Sequence, residues 1–129
     1  CIETFLSGDG LRKSYAILSG KDIRETHSPI QIFKLLREGE PCAALALELY
    51  ASRLAKSLAT VINFLDPEVI VLGGGLSNID FLYQRVPELW SQWVFSDAIK
   101  TKVVKNMYGD SSGVRGAAWL WSEENSKNL

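Results

Sequence analysis

Reactive and cross-linking side chains are scarce in this chain: two cysteines, one histidine and one methionine among 129 residues. Each scarcity closes off a class of function. Cys1 and Cys42 are too few for a disulfide framework, and Cys42 sits in an alanine- and leucine-rich stretch that suits a small buried thiol. His27, in a polar loop between helical segments, reads as solvated rather than catalytic. There is no surplus of charge either. Lys and Arg number 14 against 15 Asp and Glu, a net charge of -1, so nothing is available to neutralise a phosphate backbone and no nucleic acid partner is expected. No apolar run is long enough to cross a bilayer, and the amino end lacks the features of a signal peptide, so the expectation is a cytoplasmic protein without a membrane partner. What is present is globular usage, with 47% hydrophobic and 22% charged residues, far from the profile of disorder.

Punctuation by proline, glycine and short polar residues divides the chain into elements. Residues 3–7 suit a short helical turn. Asp9 is placed to cap a helix over residues 10–18 that Gly20 stops. Ser28-Pro29 pairs a capping hydroxyl with a proline at the first helical position, starting a helix that ends at Gly39. From Pro41 to Leu65, Leu47, Tyr50, Leu54, Leu58, Val61 and Leu65 recur at steps of three and four, predicting a long central helix. Ala43, Ala46, Ala51, Ala55 and Ala59 widen its apolar face. Asp66-Pro67 breaks that helix, and the β-branched run Val69-Ile70-Val71-Leu72 predicts a strand covered on both faces, as in a parallel sheet. A glycine turn and Ser77-Asn78-Ile79-Asp80, which has the form of a capped start, lead into a helix with Pro87 as a kink or restart. Residues 102–108 form a second strand nearer an edge, and a helix over residues 111–121 precedes a polar tail at 122–129. The fold class is α/β, helix-rich with a small parallel sheet.

Gly73-Gly74-Gly75 after the buried strand is the strongest local signal. Beyond the carboxyl end of a parallel strand, glycines let a nucleotide lie against bare backbone, and Gly73, Gly74, Gly75 and Ser77 are the candidate nucleotide-binding residues. The competing reading is a tight turn that needs positive φ. Gly113 and Gly116 fall in one helical turn of Ser111-Ser112-Gly113-Val114-Arg115-Gly116-Ala117-Ala118. Each costs a helix about 1 kcal/mol relative to alanine, which points to close approach by another element or ligand. By themselves, Cys1 and Glu3 read as a terminal thiol and a surface charge.

Cys1-Ile2-Glu3, Leu65-Asp66-Pro67-Glu68-Val69-Ile70-Val71-Leu72-Gly73-Gly74-Gly75 and the 113–118 stretch together resemble the ROK family of sugar kinases and repressors, most closely its bacterial fructokinases and mannokinases. The resemblance implies an actin-like ATPase fold of two ribonuclease-H-like lobes, of which residues 1–129 would be the carboxy-terminal part. It implies ATP with Mg2+, a hexose substrate (fructose or mannose) and a homodimer. By the same resemblance Cys1 is one thiolate ligand of a structural Zn2+, Glu3 contacts sugar hydroxyls, and the glycine turn holds adenosine. The phosphate-binding loop, the general-base aspartate and the other zinc ligands are expected upstream. No catalytic residue is therefore assigned here, and the segment alone is expected to be inactive and zinc-free. The alternatives are a sugar-responsive repressor of the same family and a dimerisation module using Trp90, Trp93, Phe95, Trp119 and Trp121, although core packing is the preferred reading for most of these.

Overall fold

Polar side chains that satisfy the unpaired amides of a first turn set the starts of the first three α-helices. In the computed structural model, which describes residues 1–109 and 111–120, the Ser7 hydroxyl accepts from the Gly10 amide at 3.1 Å and opens α1 (Gly8–Ser19). Asp9, the expected cap, lies inside that first turn and pairs with Lys13 at 2.7 Å. The turn expected over residues 3–7 is a single 3-10 turn at Ile2–Thr4. α2 (Pro29–Arg37) has a full capping box, in which the Ser28 hydroxyl accepts from the Gln31 amide and the Gln31 side chain accepts from the Ser28 amide. α3 (Pro41–Leu65) begins at Glu40, whose carboxylate accepts from the Ala43 amide, and ends at Asp66 in a left-handed conformation.

α3 is the axis against which α1, α2 and α4 (Asp80–Trp90) pack. Its buried side is built largely of alanine, with Ala43, Ala46, Ala51, Ala55 and Ala59 buried beside Leu47, Tyr50 and Ile62. Small side chains let the neighbouring helices close in, and Leu11, Tyr15, Ile32, Leu82 and Val86 fill the space between. The expected stripe through Val61 and Leu65 ends early. Both are exposed, because no described element covers that side of the last turn. Arg85 joins α4 to α3 through Glu48, to which its Nε donates at 2.8 Å. α4 runs unbroken through Pro87. Cys42 is half-buried, its thiol 3.6 Å from the Leu18 carbonyl.

β1 (Val69–Leu72) and β2 (Lys102–Lys105) pair in parallel with Val69 opposite Lys102 and Leu72 opposite Lys105, and α4 forms part of the crossover. The Thr101 hydroxyl donates to the Pro67 carbonyl at 2.7 Å and the Lys102 amide to Glu68 at 2.9 Å, which sets that register from its first residue. Asn63 ties down the segment after α4, donating to Trp93 and accepting from the Phe95 amide. The expectation of a strand covered on both faces is corrected here. Ile70 packs on the helical core while Val69 and Val71 are 48% and 58% exposed, since the described residues supply cover on one side only. α5 (Ser112–Ala118) buries none of its residues. Trp90 is core and Trp93 half-buried, whereas Phe95 and Trp119 are exposed. Trp121 and the tail at 122–129 lie outside the described residues.

Candidate functional site

The site grows from the end of β1, where the chain must leave the sheet and turn towards α4. Gly74 takes φ 77, which only glycine adopts cheaply. Gly73 and Gly75 do not have positive φ, and a Cβ built on either would meet nothing within 4 Å. Neither backbone conformation nor packing among the described residues explains why those two positions lack side chains. What the missing side chains leave is bare main chain facing open space.

A 3-10 turn at Gly75–Asn78 follows, and Ser77 is turned into the protein with 2% of its surface exposed. Its hydroxyl donates to the Gly74 carbonyl at 2.7 Å and accepts from Asn106 Nδ2 at 2.9 Å. Ser77 is therefore not the helix cap its spacing suggested. α4 starts at Ile79 without a side-chain cap, because the serine hydroxyl is already committed to holding the turn. The Tyr83 hydroxyl donates to the Ser77 carbonyl at 2.6 Å. Burial first, and then the Asp80 carboxylate, push the Tyr83 pKa up, which keeps the proton that this bond needs.

A groove of about 780 Å³ opens between this turn and α2. The turn contributes Gly75, Asn78, Ile79 and Asp80; α2 contributes Phe33, Lys34 and Arg37. The arrangement joins an apolar wall and exposed backbone to two cations. Lys34 pairs only loosely with Glu38, at 3.9 Å, and on the other wall Asp80 lies 3.7 Å from Lys105. Of the four expected nucleotide residues, Gly75 lines the groove, Gly73 and Gly74 lead into it, and Ser77 supports it from behind. The contribution of α2 escaped sequence reasoning. Lys34 and Arg37 stand three apart on one helical face, but nothing local says which element that face meets.

Cys1 and Glu3 are exposed on the first 3-10 turn and do not line the groove. Among the described residues no group of three or more His, Cys, Asp and Glu could hold a metal. One thiolate does not close a tetrahedral zinc site, so these residues do not complete the zinc centre the resemblance implies.

A parallel β-α-β unit with bare glycines at the carboxyl end of its first strand defines an α/β lobe, and in such sheets ligands bind beyond the carboxyl ends of the strands. The chain belongs to the ROK family, whose model matches residues 1–124. It is 42% identical over 120 residues to an N-acetyl-D-glucosamine kinase of Photobacterium profundum, covering 93% of this chain and 38% of that protein. An N-acetyl-D-glucosamine kinase of Histophilus somni is 39% identical over 121 residues, with 94% and 38% covered. The chain thus spans about 38% of the length of these relatives. In fold it matches a ROK family glucokinase from Streptomyces griseus, solved with glucose and AMPPNP, at a TM-score of 0.77 and 20% identity, over 93% of this chain and 44% of that one. A ROK hexokinase from Thermus thermophilus matches at 0.74 and 22% identity, with 92% and 39% covered. The ribonuclease-H-like, actin-like α/β class expected from the sequence stands.

Proposed function

We propose that this chain is the carboxy-terminal part of an ATP-dependent hexose kinase, and that the groove between α2 and the glycine turn seats the adenosine. The observation that carries the reading is the bareness of Gly73 and Gly75, which the chain's own backbone and packing leave unexplained. A nucleoside lying against that main chain explains it. Phe33 and Ile79 offer apolar surface to a base, and Lys34 and Arg37 add positive charge for an anionic ligand. ATP supplies the phosphoryl group, with Mg2+ balancing its charge. Glu3 is assigned as an acceptor for sugar hydroxyls and Cys1 as one thiolate of a zinc site completed by other parts of the protein. The general base is assigned outside these residues.

Fructose or mannose was the sugar expected from the sequence. The named activity of relatives at 39–42% identity supports placing N-acetylglucosamine first instead. ADP release by the full-length protein, assayed with N-acetylglucosamine, glucose, fructose and mannose, tests the reading. Hexose-dependent turnover with N-acetylglucosamine preferred is the expected result; sugar binding without ADP release would point to a repressor of the same family. Gly75→Val should raise the KM for ATP about tenfold by filling the seat while leaving the sugar KM in place. Light scattering on the same sample reads the proposed homodimer.

A further inference from the structure

Besides Tyr83, which donates to the Ser77 carbonyl, a side chain from beyond β2 holds the glycine turn on both of its flanks. Asn106, the residue after β2, uses both hydrogens of its amide: one goes to the Leu72 carbonyl at 3.1 Å, the other to Ser77 Oγ at 2.9 Å. These two acceptors bracket Gly73, Gly74 and Gly75. Its amide oxygen lies 3.1 Å from Ser112 Oγ, in the first turn of α5. Ser112 has one hydroxyl proton for two acceptors, because the Gly109 carbonyl lies 2.7 Å from the same oxygen. Asn106 therefore ties the last residue of β1, the buried hydroxyl inside the turn and the start of α5 into one network.

We propose that Asn106 is a positioning residue for the nucleotide: it presets the Gly73–Gly75 main chain at the groove and links the pose of that turn to α5. The proposal rests on the nucleotide seat argued above. Bare backbone is a useful ligand surface only if it is rigid, and three consecutive glycines are the least rigid stretch a chain can offer. Gly73 and Gly75 have no side chains to anchor them, so the restraint must come from their flanks. Asn106 supplies it from both, and Ser77 passes it on through its bond to the Gly74 carbonyl. A preset turn lets a nucleotide bind without first ordering its own seat.

The test is steady-state kinetics of the full-length protein carrying Asn106→Ala, with Ser77→Ala as a second variant. Loss of the two donated hydrogen bonds is expected to raise the KM for ATP about tenfold, with the sugar KM within about twofold of wild type and kcat within about threefold. Ser77→Ala is expected to move ATP KM in the same selective way, and the double variant to add little beyond either single one. An unchanged ATP KM in Asn106→Ala, or ATP and sugar KM values rising together, overturns the assignment. Should Asn106→Ala not fold, Ser77→Ala alone decides by the same two readouts. Wild-type protein that ignores ATP defeats the nucleotide seat itself; wild-type protein that uses ATP alongside variants that match it defeats only the role of Asn106.

Discussion

Glycine does opposite work in the helical half of this chain and in its strand half. At Gly10, on α1, a Cβ would come within 2.7 Å of the Phe5 backbone and 2.8 Å of the Thr4 carbonyl, so the first turn of the chain is what forbids a side chain there. At Gly73, Gly75, Gly113 and Gly116 a Cβ would meet nothing within 4 Å. The fully buried apolar residues follow the same division. Leu11, Ile32, Leu47 and Val86 are enclosed among α1 to α4, whereas Val69, Val71, Val114 and Trp119 stand exposed on the strand side. The enclosed core of the helical half is explained by its own contacts, while Ile17, Ile30, Phe64 and Leu65 on its outer side stand exposed. The strand half has the side-chain pattern of a region that something else covers.

Substitutions should separate the halves, and the largest effect is expected in the helical core. Leu47→Ala removes a 1% exposed side chain from the centre of the bundle and should lower stability by about 3 kcal/mol in urea unfolding of the protein, from the lost burial and the cavity left behind. Val71→Ala, on the open face of β1, should stay within about 0.5 kcal/mol unless another part of the protein covers that face. A comparable loss from both would place Val71 under a covering element and redraw the division.

Next in size is an alkaline effect confined to the helical side. Burial pushes the Tyr50 phenol up from 10.0 to about 12. Between those pH values the unfolded chain releases a proton that the folded chain keeps, so stability is complete below about pH 10 and falls by about 2 to 3 kcal/mol as pH rises through 12. Tyr50→Phe should remove most of that slope, leaving the smaller part contributed by Tyr15, Tyr83 and Cys42, which burial also pushes up, as read from unfolding midpoints across the alkaline range. A slope undiminished in Tyr50→Phe assigns the titration elsewhere.

How far the sequence could be read follows the same line. The boundaries of α2 and α3 were legible because Ser28-Pro29, Pro41 and Asp66-Pro67 act within a few residues of themselves. The strand and glycine turn were legible because a β-branched run ending in three glycines admits few structures. Ser77 was misread as a cap since its partner, Asn106, lies 29 residues further on. The α2 wall of the groove was missed for a like reason: Phe33, Lys34 and Arg37 show a helical face but not what stands opposite. Hydrophobicity also could not say whether the cover for Val69 and Val71 comes from these residues, and here it does not.

The smallest expected effects are also the ones whose sign distinguishes the halves. Alanine is the better helix former by about 1 kcal/mol, so replacing a helical glycine should stabilise the protein wherever space allows. At Gly10 space does not allow it. The added methyl must displace backbone at 2.7 Å, an overlap that costs about 2 kcal/mol and exceeds the gain in propensity, so Gly10→Ala should lower the unfolding midpoint. At Gly116 the methyl meets nothing among the described residues, and Gly116→Ala should raise stability by up to about 1 kcal/mol if α5 remains uncovered in the complete protein. Destabilisation at Gly116 instead would show that another element approaches α5 within a side chain's width. Because that position is open here, the sign of its effect would locate the covering partner.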